Sequence, residues 1–181
     1  MSLPIRLLLF LPWLILCSCE RTHSNHSELF TQIFISADND FRGVNLGQGI
    51  QDILTIASPL LPKYQDRYGV SYEIKLVPSG SLRADYYTDN LISGMETNKI
   101  ASIVAQVSLD NEVETARLYQ EIKEYFDLRY NLPAGVYGDY LWSSATRDFG
   151  VIEVRLRLDD SKRGIVFNFV DPQAGTRNEP S

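Results

Sequence analysis

Tyr72-Glu73-Ile74-Lys75-Leu76-Val77 alternates apolar and polar residues with a period of two, and Leu82-Arg83-Ala84-Asp85-Tyr86-Tyr87 repeats the period a few residues on. That pattern places one face of an extended chain in a core and the other in water. Between the two runs lies Pro78-Ser79-Gly80-Ser81, a turn by composition. Strands joined by so short a connection must run antiparallel, which sets the sheet type. A third strand follows near Ala101–Leu109, where Ile103, Ala105, Val107 and Leu109 share a face.

Working outward, Thr31–Ala37 reads as a first short strand, broken by Asp38-Asn39-Asp40. A glycine-rich stretch from Gly43 to Gly49 leads into a helical pattern at Ile50, Ile53, Leu54 and Ala57, ended by Pro59 and Pro62. On the far side, Asn111 and Glu114 have the spacing of a helix N-cap and its capping-box partner. The helix they open carries Leu118, Ile122, Tyr125, Phe126 and Arg129 on one stripe, with Glu121, Lys123 and Glu124 off it, and closes at Pro133. Three further strands follow, at about Tyr137–Ser144, Val151–Leu158 and Ile165–Val170, the last two joined by a turn over Asp159–Gly164.

The predicted fold is α+β, an antiparallel sheet with two main helices packed on one face. A helix followed by three strands occurs twice, which suggests a duplicated unit. Tyr64-Gln65-Asp66-Arg67-Tyr68 matches Tyr125-Phe126-Asp127-Leu128-Arg129-Tyr130 if one residue is inserted. The glycine turn, helix and meandering strands resemble small periplasmic lipoprotein domains of the outer-membrane assembly machinery, and no site residue is carried over from them.

Arg6 precedes Leu7–Leu16, ten residues that suit a signal-peptide core and fall well short of the ~20 needed to span a membrane. Leu16-Cys17-Ser18-Cys19 ends that run and resembles a bacterial lipobox: an aliphatic residue, a small residue, then the cysteine that takes the lipid. The resemblance implies a signal peptide over 1–18, lipidation at Cys19, and a polar tether over 19–30. Stable anchoring follows where more than one acyl chain is carried. Glu20 after the cysteine points to the outer membrane, with the domain facing the periplasm or the surface. An ordinary cleaved secretory signal is the alternative. The α+β domain then spans 31–170, and 171–181 reads as a disordered tail.

Composition narrows the chemistry. Loss of the leader removes Arg6 and no acid, so the net charge moves from −6 to −7, against a nucleic-acid partner. Both cysteines lie in the leader region, and both histidines, His23 and His26, fall in the tether. A domain without either residue type lacks the parts of a Cys/His zinc site, a cysteine nucleophile or a Ser-His-Asp triad. The sequence contains no Gly-x-Ser-x-Gly elbow and no Ser-x-x-Lys pair after the leader. It implies no catalytic residue, no metal and no cofactor.

Four basic residues are the candidate interaction patch. Arg155 and Arg157 point away from the apolar face of Ile152, Val154, Leu156 and Leu158, and Lys162 and Arg163 sit in the adjoining turn. They suit anionic headgroups or an acidic partner, and a solvated sheet face explains them too. Asp38 and Asp40 are oxygen ligands without the ordered ladder of a calcium loop, and read as a solvated turn. The Gly43–Gly49 stretch fits neither nucleotide-loop pattern and reads as a structural turn. Tyr86, Tyr87, Tyr137, Tyr140 and Trp142 fall on strands, as cross-strand packing or as an outward aromatic platform.

Three functions follow in order. The first is a membrane-anchored, non-catalytic envelope lipoprotein that engages another envelope protein or the cell wall. The second is a lipoprotein that binds a ligand on an aromatic sheet face. The third is a carboxylate-dependent hydrolase, whose mark would be two acids facing one cleft, one of them raised by burial.

Overall fold

The computed structural model describes residues 26–35, 39–57, 60–90, 98–131, 133–136, 139–146 and 150–174. Cys19 and the rest of the leader, Asp38, Tyr137, and residues 175–181 of the expected tail lie outside the described residues. Helices α1 (Glu28–Ile33), α2 (Ile50–Ile56) and α3 (Glu112–Tyr130) accompany strands β1 (Tyr64–Asp66), β2 (Gly69–Lys75), β3 (Ser81–Thr88), β4 (Ile100–Ser108), β5 (Ala134–Val136), β6 (Asp139–Thr146), β7 (Gly150–Leu158) and β8 (Gly164–Val170). The strands form one eight-stranded sheet in the order β1-β2-β3-β4-β8-β7-β6-β5, antiparallel throughout. The class is α+β, with a sheet large relative to its helices.

Register explains the core. Residues opposite one another on paired strands share a face, and one such line runs Tyr72, Ala84, Ala105, Phe167, Leu156, Tyr140. Its neighbours are Val70, Tyr86, Ile103, Phe169, Val154 and Trp142. All of these are buried except Tyr140, which packs against the rest. The alternation read in 72–87 is therefore the alternation of the whole sheet. Leu118, Ile122 and Phe126 of α3, Ile50 and Ile53 of α2, and Leu29, Phe30 and Ile33 of α1 join the same apolar cluster.

Three expectations change. The strand placed at Thr31–Ala37 is helix α1 up to Ile33, capped by the Ser27 hydroxyl, which accepts from the Phe30 amide. The apolar face starts before Thr31: Leu29, Phe30, Ile33 and Phe34 bury together at helical spacing, while Ile35 is 63% exposed. Residues 26–30, assigned to the tether, dock on α3, where Glu121 accepts from the Ser27 amide and hydroxyl and His26 stacks on Phe30. At the other end the expected tail stays attached through Ala174, since Asp171 is buried and its amide donates to Ala101.

Each helix-led stretch contains four strands where three were expected, because the three-residue β1 and β5 have too little pattern to read. The two four-strand meanders meet at β4–β8. The matched tyrosine segments are not equivalent: Tyr64–Tyr68 lies on β1 and its turn, whereas Tyr125–Tyr130 ends α3.

Candidate functional site: the open face of the sheet

The other set of alternating residues faces away from the core. One complete line crosses every strand: Tyr64, Ser71, Asp85, Val104, Asn168, Arg155, Leu141, Ala134. Beside it run Glu73, Arg83, Gln106, Val166 and Arg157, and on its other side Tyr87, Ser102, Val170, Glu153 and Ser143. From β4 to β7 these side chains are exposed or half-buried. The centre, on β4 and β8, is uncharged: Ser102, Val104, Gln106, Val166, Asn168 and Val170. Charged residues stand to either side, Glu73, Arg83 and Asp85 on β2–β3 and Glu153, Arg155 and Arg157 on β7. Interface cores are likewise depleted of charged residues and ringed by a polar rim.

The four basic candidates divide between two places. Arg155 and Arg157 stand on the open face, exposed, as their alternation predicts. Lys162 and Arg163 lie in the turn at its end, Lys162 with a positive φ of 58°. Two of the four face acids: Arg155 lies 3.5 Å from Glu153 and Arg163 lies 3.7 Å from Glu112. Both pairs are open to water, where such contacts contribute little, so the patch is a mixed-charge rim.

At the β1–β3 corner the open face is not flat. Tyr64, Tyr68 and Tyr87 surround a cleft of about 220 Å³ with Ser71, Arg83 and Asp85. Asp66 sits at its edge and accepts from the Tyr64 hydroxyl and from the amides of Tyr68 and Gly69, at 2.7 and 3.1 Å. The Tyr64 hydroxyl, then the turn amides, hold this carboxyl below the ordinary aspartate range. Asp85 accepts from Arg83 Nε at 3.0 Å. This corner is not legible in the sequence, because Tyr64 and Tyr68 belong to a strand and turn too short to recognise.

Most of the strand aromatics singled out from sequence are core. Tyr86 and Trp142 are buried, and Tyr140 packs against the core from its rim. Of the described members of that group, Tyr87 alone lies on the open face. Burial drives the Tyr86 hydroxyl far above its usual range, which is the signature of packing.

Asp40 is buried, not solvated as its turn suggested. Burial raises its carboxyl above the aspartate range, against the Leu46 amide donating at 2.9 Å and Arg129 at 3.9 Å. One of its oxygens closes the loop on Leu46, and the other faces Arg129 of α3. The glycine-rich stretch is a structural turn: the Gly47 amide donates to Ile100, the Gly43 amide to Asn39, and the Ile50 amide to Asn98. These amides are bonded to neighbouring parts of the chain, as in a structural turn.

On the core side, a second cavity of about 260 Å³ opens between α2 and strands β2–β3, lined chiefly by Ile35, Ile56, Leu60, Tyr72, Ile74 and Tyr86. Arg42 stands at its edge and donates to the carbonyls of Gln32 and Ile33, closing α1. Among the described residues, no helix is long and apolar enough to cross a membrane. No family model, curated protein or solved structure matches the chain.

Proposed function

We propose that the protein is a non-catalytic envelope lipoprotein, held to the membrane through Cys19, whose folded domain engages another envelope protein or the cell wall. The observation that supports the recognition half of this reading is the open sheet face, with its uncharged centre and its charged rim of Arg83, Glu153, Arg155 and Arg157. The anchoring half rests on the Leu16–Cys19 sequence, and Glu20 favours the outer membrane. Lys162 and Arg163 extend the rim towards the sheet end, where an acidic partner or anionic headgroups would meet them. Within the fold, α2 and α3 act as the main cover of the core face. Each, with the four strands that follow it, forms one copy of a duplicated unit, a reading supported by the meanders meeting at β4–β8.

Labelling cells with radioactive palmitate and fractionating them tests the anchor. The parent chain is expected to take up label and sediment with membranes, and Cys19→Ala to do neither. Label and sedimentation that survive the substitution would remove the lipoprotein reading.

A second reading is favoured by one feature, the apolar cavity under α2. Its exposed walls, Ile35 at 63% and Ile56 at 41%, suit capture of a small apolar ligand. A fluorescent fatty acid that binds the parent saturably, and binds Ile56→Glu poorly, would support it. Absence of saturable binding would leave the open face as the working surface.

A further inference from the structure

We propose that the cleft at the β1–β3 corner is a binding site for a neutral saccharide, one sugar ring at a time. The proposal rests on the reading of this chain as a recognition module and gives that module a ligand class.

The first observation is a hydroxyl without a partner. Ser71 is 4% exposed, and its Oγ has no hydrogen-bond partner among the described residues. A buried hydroxyl left unsatisfied is destabilising. Ser71 lies on the open face, directly between Tyr64 and Asp85 in the sheet register, and lines the cleft. A hydroxyl-bearing ligand entering the cleft would supply what Ser71 lacks.

The second observation is the balance of charge. Arg83 and Asp85 face one another at 3.0 Å, and Asp66 is occupied by the Tyr64 hydroxyl and two turn amides. The cleft therefore presents donors and acceptors side by side: the Arg83–Asp85 pair is balanced within itself, and the Asp66 carboxylate, whose neutral donors leave its charge in place, has Arg67 beside it. An anion would meet Asp66 and Asp85, and a cation would meet Arg83. A polyhydroxyl compound matches both kinds of group at once.

The third is shape. Tyrosine offers a flat apolar ring with a polar tip, and the cleft carries three, including Tyr64 at 59% exposure. A sugar ring has the same division, with C–H groups on its faces and hydroxyls around its edge. The volume, about 220 Å³, lies below the ~300–1,000 Å³ of sites for drug-sized ligands, so it suits a single ring. A longer chain would continue over Val104 and Asn168 along the same line of the sheet.

Calorimetric titration of the full chain in detergent tests this, with neutral tetrasaccharides of glucose and of N-acetylglucosamine and a polygalacturonate tetramer as the charged comparator. A neutral oligosaccharide is expected to bind saturably. Tyr64→Ala and Ser71→Ala are each expected to weaken it by about tenfold or more, a loss of about 1.4 kcal/mol. Ser71→Ala removes an unsatisfied group and is expected to melt no lower than the parent, and Tyr64→Ala, which gives up only an exposed hydroxyl bond to Asp66, to melt only slightly lower. That separates lost binding from lost fold. Absence of saturable binding by either neutral tetrasaccharide, binding of the charged tetramer alone, or binding unaltered in both variants would overturn the proposal. None of these outcomes touches the anchor, which the Cys19→Ala fractionation reads separately.

Discussion

Asn111 holds the start of the longest helix. Its side-chain oxygen accepts from the amides of Val113 and Glu114 at 2.8 and 3.4 Å, satisfying donors that the first turn of any helix leaves open. Asn111→Ala is expected to lower stability by about 1 kcal/mol, read as a drop in the urea midpoint with an unchanged slope. Asp159 does the same work for the last hairpin. It accepts from the Ser161 hydroxyl and from the amides of Gly164 and Arg163, and those bonds, the hydroxyl's first, hold its carboxyl below its ordinary value of 3.8. A depressed folded value means the contribution is present above the unfolded value and fades as pH falls through the folded one. Asp159→Ala is therefore expected to melt below the parent at neutral pH, with the gap closing under acid conditions below 3.8. A gap that persists undiminished in acid would show that the carboxylate is not its source.

Burial changes sharply along α3. Phe126 is fully buried, with ring contacts to Trp142 at 5.3 Å, Phe169 at 5.8 Å and Phe167 at 5.9 Å, so one side chain ties the helix to β6 and β8. Leu128, two residues on, is 85% exposed. Phe126→Ala is expected to cost about 3–5 kcal/mol and Leu128→Ala less than about 0.5 kcal/mol, by chemical denaturation. Similar losses at both would contradict the packing described. This helix was legible in sequence because nineteen residues give several turns of a 3.6-residue pattern, with a side chain that marks its start. The long strands were legible for the same reason at period two. α1 was not, because its six residues straddle the boundary drawn between tether and domain, and a short apolar run satisfies either period. β1 and β5, at three residues each, are too brief to alternate. What positions them is pairing with β2 and β6, which is information held elsewhere in the chain.

At the scale of the molecule, one face of the sheet is core and the other is a surface without an assigned partner. The basic residues noticed in sequence, Arg155 and Arg157, belong to that surface, because alternation fixes which side of a strand a residue takes. Its tyrosine-lined corner was not legible: Tyr64, Ser71 and Asp85 are scattered in sequence and become neighbours only through strand register. The same holds for Asp40 and Arg129, which meet across the fold at 3.9 Å although Asp40 sits in a segment that reads as a polar turn. Anchor and surface together make the proposal that a membrane-held domain recognises its partner through the open face. The most direct test places a photocrosslinking residue at Asn168, in the centre of that face, and at Glu124, on the helical side, and illuminates living cells. An adduct with an envelope protein or the cell wall is expected from position 168, lost when Cys19→Ala is added, and none from position 124. Adducts from position 124 alone, or an adduct at 168 indifferent to Cys19, would contradict the proposal.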